Sequence, residues 1–198
     1  MKKITLLFLV SFCFTGCVTQ SQTAKTPTAM TNQQQYPKAL VDYDDFKNLV
    51  TEVEKARATH LVNLDLFLKM SHEENTVILD TRSDFRYNRK HLKGAIHLDF
   101  TDFTQENLHQ LIPDPNTRIL IYCNNNFNGD PIDFASKMAL PKNTPESQIL
   151  ANRKPVMLAL NIPTHINLYG YGYKNIYELD ELVHVNDRRI KFEGTEVK

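Results

Sequence analysis

The sequence carries no excess charge of either sign, with 23 lysines and arginines against 23 aspartates and glutamates in 198 residues. No basic surplus asks for nucleic acid and no acidic tail asks for cations, so no nucleic-acid partner is expected. Cysteine is scarce. Of the three present, Cys13 and Cys17 sit in the N-terminal segment, which leaves Cys123 as the one thiol of the remaining chain. Within that remaining chain an intramolecular disulfide is thereby excluded, and a lone thiol is either buried or used. The seven histidines show no HxxxH or Cys–His spacing, so no zinc or other metal site is expected, and no cofactor. There is no internal repeat. The apolar run Ile4 to Phe14 is too short for a membrane-spanning helix, which takes about 20 residues. The length fits one domain, at roughly 100–200 residues each.

What is present begins with that run. Met1-Lys2-Lys3 is a basic start, and Thr15-Gly16-Cys17 closes the run with small residues and a thiol. The pattern reads as an export signal over residues 1–17. Phe14-Thr15-Gly16-Cys17 resembles a bacterial lipobox. The resemblance implies cleavage before Cys17, a lipid on Cys17, and a protein tethered to the membrane and facing the periplasm of the bacterial cell envelope. Val18 leaves no acidic residue after the cysteine, which favours the outer membrane. Phe14 departs from the usual leucine, so ordinary secretion or a soluble periplasmic protein stays open. Residues 18–40 are rich in Thr, Gln, Ser, Ala and Asn and contain Pro27 and Pro37. Such a stretch buries too little apolar surface to offset its ordering entropy and is expected to be a flexible tether.

The folded domain is expected over residues 41–198. Phe46, Leu49, Val50 and Val53 follow Asp44-Asp45 at helical spacing, which predicts a helix to about Thr59. Leu61 to Leu64 is a strand candidate, and Asp65 to Met70 a short helix. Val77-Ile-Leu79, Arg118 to Tyr122 and Asn175-Ile-Tyr177 are continuous apolar runs, as suits strands covered on both faces. With helical segments between them, the pattern predicts an α/β fold: a mostly parallel central sheet with helices on both faces. Ligands of such sheets bind beyond the carboxyl ends of the strands, where Cys123 stands.

Asp80-Thr-Arg82 ends one strand, and Phe85, His91-Leu92 and Gly94-Ala95 follow. Ile121-Tyr122-Cys123 comes some thirty residues later, then Tyr171-Gly172-Tyr173 with Asn175-Ile176 and Leu179. Together these motifs resemble the rhodanese-like family, over about Leu61 to Leu182. The resemblance implies a rhodanese-like fold in which Cys123 attacks a sulfur donor, holds the sulfane sulfur as a persulfide and passes it to an acceptor. Asn124, Asn125, Asn126, Phe127, Asn128 and Gly129 would then form the substrate or anion cradle, since N–H groups of a tight loop favour anions and lower a cysteine pKa. Asp80 and Arg82 are expected to brace the loop as an ion pair, and His91 to hydrogen-bond locally at a turn.

The chain departs from the family pattern in two places. Asn128 and Gly129 stand where active members carry arginine or serine, and Asp130 and Asp133 follow, which argues against thiosulfate as donor. No arginine lies between Cys123 and Arg153, which disfavours a phosphatase-like use of the loop. Cys123 and Gly172 are 49 positions apart, so an insertion at about 130–160 is expected to act as a lid, with a helix from Ile162 to Tyr171 after it. Arg153-Lys154 is a solvated pair or a cation for the site. Three readings stay open: a sulfurtransferase or persulfide carrier, a catalytically silent module binding an anionic ligand or partner protein, and a thiol oxidised to sulfenic acid.

Overall fold

The three continuous apolar runs become the middle of a parallel sheet. The structure is a computed structural model, and it describes residues 36–139 and 156–197. Contacts divide the chain after Leu40, and the regular elements among the described residues all lie in the unit Val41–Lys198. Their order is α1 (Tyr43–Arg57), β1 (Leu61–Val62), α2 (Leu64–Met70), β2 (Thr76–Asp80), α3 (Asp84–Arg89), β3 (His91–Leu92) and β4 (Ile96–His97). Then come α4 (Gln105–Leu111), β5 (Arg118–Tyr122), β6 (Phe127–Asn128), β7 (Met138–Ala139), β8 (Val156–Met157), α5 (Asn161–Gly170), β9 (Ile176–Leu179), β10 (Val183–His184) and β11 (Phe192–Glu193).

The main sheet runs β1-β9-β5-β2-β4, with every pairing parallel. Alternation along β5 sends Ile119 and Ile121 to one face, where they meet Leu108 of α4 and Leu168 of α5. Leu120 and Tyr122 go to the other face, against Leu64 and Phe67 of α2. Both faces are therefore covered, which is why the strand reads as an unbroken apolar run. Each fully buried side chain of this kind contributes about 1.5–3 kcal/mol.

Helix α1 starts where the Asp42 carboxylate accepts the N–H groups of Asp44 and Asp45, at 2.9 and 3.0 Å. Acids in its first turn and Lys55 and Arg57 in its last complement the helix dipole. The expected stripe is only partly covered: Val53 is buried, while Phe46 is 52% exposed at the open end of the helix. Helix α5, expected over Ile162 to Tyr171, runs Asn161–Gly170 and is not a simple apolar stripe. It buries Asn161, Thr164 and His165 with Ile166 and Leu168, and leaves Ile162 45% exposed. Of the inward polar residues, Thr164 Oγ1 meets Thr81 Oγ1 at 2.8 Å and Asn161 Nδ2 donates to Asn126 Oδ1 at 2.9 Å, while Asn161 Oδ1 and His165 Nδ1 are buried without a hydrogen-bond partner among the described residues.

Candidate active site

In register, Asp80 at the end of β2 pairs with Tyr122 at the end of β5, so that the residues after both strands share one edge of the sheet. Cys123 is the next residue and is 1% exposed. Beneath it, Asp80 and Arg82 form a buried ion pair. Arg82 Nη2 donates to Asp80 Oδ2 at 2.7 Å and Nε to Oδ1 at 3.0 Å, while the Tyr122 hydroxyl also donates to this carboxylate. The remaining guanidinium donors go to Lys90 O at 2.6 Å and Asp133 O at 3.0 Å, with Asn124 Oδ1 at 3.5 Å. The ring of Phe134 lies under the guanidinium, 4.6 Å from its centroid. One cation thus ties together the end of β2, the turn before β3, the loop after Cys123 and the start of the insertion. Burial alone would pull the Arg82 pKa down, but Asp80 outweighs it and holds the guanidinium charged.

The loop itself differs from a cradle leading into a helix. Asn124–Asn126 form one 3-10 turn, and the chain then passes into β6, which pairs in parallel with β10. The Asn126 N–H donates to Cys123 O at 3.1 Å, and the Phe127 N–H to Asn124 O. Both donors have carbonyl acceptors within the turn, and the Asn126 N–H also faces the Cys123 side chain in a capping box. Phe127 is a core residue at 3% exposure, packed on Phe134 and Phe192. Asn128 is exposed opposite His184, and Gly129 adopts φ +87, a conformation that suits glycine. Asn124 is buried beside Arg82, and Asn125 Oδ1 accepts the Lys137 N–H at 2.7 Å. Of the six residues, Asn124 contributes a backbone N–H that favours the thiolate.

The second donor to sulfur comes from the far side of the insertion: Leu160 N–H lies 3.3 Å from Cys123 Sγ. The described ends of the insertion are joined by the antiparallel pair β7 and β8 and by Leu158 N–H to Lys137 O at 2.9 Å. They are pinned to the loop at Asn125 and at Cys123, so that residues 156–160 lie as a strap over the thiol. Burial pushes the Cys123 thiol up; the Leu160 and Asn124 N–H groups and the Lys137 charge oppose this without reversing it. In this closed form Cys123 is a protonated thiol at neutral pH.

The two acids after the loop do not act as free charges. Asp130 pairs with Lys90 at 3.0 Å and Asp133 with Arg89 at 2.6 Å. Paired with these cations, the two acids do not stand as uncompensated charges against an anionic donor such as thiosulfate. His91 bonds through Nδ1 to Tyr87 O at 2.7 Å and stacks on Tyr87, a local role. Residues that no motif marked complete the surroundings. Thr164 Oγ1 lies 2.8 Å from Thr81 Oγ1, and His165 is buried beside Glu178, which Arg57 grips with two bonds of 2.6 and 2.7 Å. Arg153-Lys154, most of the expected lid, the export segment with Cys17, and most of the tether lie outside the described residues.

The model of the Rhodanese-like domain matches residues 63–181 of this sequence. The chain belongs to the rhodanese-like family. Its curated relatives include the tRNA uridine(34) hydroxylases of Streptococcus sanguinis (strain SK36) and Streptococcus gordonii, each 30% identical over 108 residues. The match takes in 46% of this chain and 32% of each relative, so the chain spans about a third of their length. Among solved structures, a rhodanese from E. coli with bound anions is similar at 16% identity, over 61% of this chain and 99% of that one, with a TM-score of 0.35. In this rhodanese-like domain Cys123 stands at the carboxyl end of the central strand, with the Leu160 N–H on its sulfur.

Proposed function

We propose that this protein is a rhodanese-like sulfurtransferase or persulfide carrier whose acceptor is Cys123. The observation that carries the reading is the position of Cys123, at the carboxyl end of the central parallel strand with the Leu160 N–H on Sγ and the Asn124 N–H favouring the thiolate. In the reaction the thiolate attacks the outer sulfur of the donor and the donor's S–S bond breaks. Thiosulfate then leaves sulfite and a cysteine persulfide anion; a glutathione persulfide leaves the glutathione thiolate. A second thiol later attacks the outer sulfur, takes it as its own persulfide and returns Cys123 as thiolate. The two N–H groups and the Lys137 charge stabilise the sulfur anion in both directions. Because burial keeps the resting thiol protonated, the active form is one in which residues 156–160 have lifted and water or donor reaches Sγ.

The same burial favours a second reading, a catalytically silent module in which Cys123 only packs. Incubating the protein with thiosulfate, 3-mercaptopyruvate and glutathione persulfide, then measuring intact mass, separates the two. One added sulfur on Cys123, absent from Cys123→Ser, supports transfer; no adduct from any donor leaves the binding module. A sulfenic acid trapped after peroxide points instead to a redox thiol. We also propose an envelope location, lipid-anchored through Cys17, supported by the apolar run and the lipobox-like ending. Membrane fractionation of wild type against Cys17→Ser tests it: loss of the protein from the membrane pellet in the variant is expected, and an unchanged distribution contradicts it.

A further inference from the structure

Strand β2 is fully paired on one side and only partly on the other. Its register with β5 runs from Thr76 to Asp80, whereas β4 meets only Leu79 and Asp80. The cause is the turn before β4. Lys93 N–H donates to Lys191 O at 2.9 Å, Ala95 N–H closes a turn onto Leu92 O at 3.0 Å, and Gly94 takes φ +78 within it. The chain is thereby held towards β11 and reaches the edge of the sheet only at Ile96. Thr76, Val77 and Ile78 are left half-buried, while Leu79 beyond them is fully buried.

The ladder fixes which main-chain groups this uncovers. Arg118 N–H donates to Asn75 O at 2.8 Å on the β5 side, and Leu98 N–H to Asp80 O at 3.2 Å on the β4 side. Successive residues of a strand turn their N–H and C=O groups to opposite sides, so Asn75, Val77 and Leu79 serve β5 while Thr76, Ile78 and Asp80 face the other way. Thr76 N–H, Thr76 C=O and Ile78 N–H therefore stand in a row along the open edge, without a partner among the described residues. Such a row is a template for a further strand.

The row opens into a groove of about 440 Å³ between β2, α2 and the turn before β4. A residue paired opposite Ile78 turns its side chain the same way as Ile78, onto Leu68 and Leu92, which belong to the same apolar cluster. The fully charged side chains that line the groove are Lys93, Arg189 and Lys191, and no carboxylate lines it. Arg189 is held by Asp65 and Asp187 at 2.7 Å each, and Lys93 lies 3.6 Å from Glu193. Lys191 has no ion-pair partner among the described residues. We propose that this edge takes an extended acidic segment of a partner protein. The segment adds to the sheet beside Thr76–Ile78, seats an apolar side chain on Leu68 and Leu92, and sets a carboxylate against Lys191. Main-chain bonds supply the attachment, and the groove supplies the choice of sequence. Lysines along an edge elsewhere serve only to repel a second strand; the charge and the backbone of the added peptide distinguish the two uses.

The probe is the peptide acetyl-Glu-Glu-Val-Val-Val-Glu-Glu-amide, with its lysine counterpart and a form methylated on the valine nitrogens as controls. Binding is followed by NMR of the backbone amides of the protein and by their hydrogen exchange. In the free protein the Thr76 and Ile78 amides should exchange faster than those of Val77 and Leu79, which β5 holds. The acidic peptide is expected to saturate and to slow exchange at Thr76 and Ile78. The methylated form, which cannot extend the ladder, should bind at least about tenfold more weakly, the scale of one hydrogen bond. Lys191→Glu, at an exposed position that leaves folding alone, should weaken the acidic peptide roughly fivefold. Slow exchange of Ile78 in the free protein, the sign of an edge already covered by another segment of the chain, would overturn the proposal. So would no saturation up to the solubility limit, equal binding of the lysine or methylated peptide, or undiminished binding in Lys191→Glu. None of these readouts depends on sulfur transfer, so failure here and failure of Cys123 as a sulfur acceptor are separate results.

Discussion

Replacing Arg82 with methionine should do more damage than any surface substitution, and the structure allows the damage to be sized. Arg82 and Asp80 are 2% and 0% exposed. Methionine fills much of the arginine's volume and removes its charge, leaving the Asp80 carboxylate buried with only the Tyr122 hydroxyl and the Arg82 N–H as donors. Breaking a buried pair in this one-sided way costs about 3–5 kcal/mol, because the surviving charge stays desolvated. The carbonyls of Lys90 and Asp133 lose a donor as well, at about 1–3 kcal/mol each where water does not replace it. A loss of at least about 4 kcal/mol is expected, against about 5–15 kcal/mol for a whole domain. In urea, at about 1–3 kcal/mol/M, that lowers the midpoint by roughly 2 M.

The pairing itself is isolated by a cycle with Asp80→Leu. The double variant should be less destabilised than the sum of the singles by about 3 kcal/mol, since the stranded carboxylate is then gone. The loop should respond too, because Arg82 holds Asp133 O and Asn124. Iodoacetamide should therefore modify Cys123 faster in Arg82→Met than in wild type under native conditions. A cost below about 1 kcal/mol, or singles that simply add, would refute the account of this pair as the brace of the loop.

Acidification should weaken the fold through His165, which burial, aided by the charges of Arg57 and His60, holds down at about 4. The unfolded chain takes up this proton near pH 6.5 and the folded chain only near 4, so stability falls as pH drops through that window. The loss is about 3 kcal/mol, and a urea series should show that slope vanishing in His165→Gln. Leu160→Pro removes the N–H on Sγ at a residue whose φ of −77 already suits proline. The alkylation pH profile of Cys123 should move upward, with roughly tenfold less thiolate at a given pH; an unmoved profile would show that this donor does not act on the sulfur. Gly129→Ala should cost about 1–2 kcal/mol from its φ of +87. Its Cβ would also come within 2.6 Å of His184 Nε2, so combining it with His184→Ala should restore only the steric share in thermal unfolding.

The parts of the fold legible in the sequence are those whose burial is written as a pattern. Strands β2, β5 and β9 are continuous apolar runs because both faces are covered, and α1 carries its cap and charges in order. Helix α4 has no such pattern, since Leu108 is its one buried residue. The two-residue strands are too short to show any period. Asp80 and Arg82 could be read because they sit two apart at a strand end. What holds Cys123 could not, because it comes from a backbone N–H 37 positions away, and backbone groups have no residue code. The same distance hides the pairing of Asp130 and Asp133 with Lys90 and Arg89, 40 and 44 positions back. The asparagines after Cys123 are legible as a tight loop, but their directions are set by partners such as Asn161 and Lys137, which only the folded chain brings near.

Cys123 is expected to accept sulfur once residues 156–160 lift from it. Intact-mass measurement after exposure to thiosulfate and to glutathione persulfide tests this most directly, in wild type and in Cys123→Ser. Wild type is expected to gain one added sulfur atom, lost on reduction and absent from the serine variant. An unmodified wild-type mass with both donors, under conditions where iodoacetamide does reach Cys123, would contradict it.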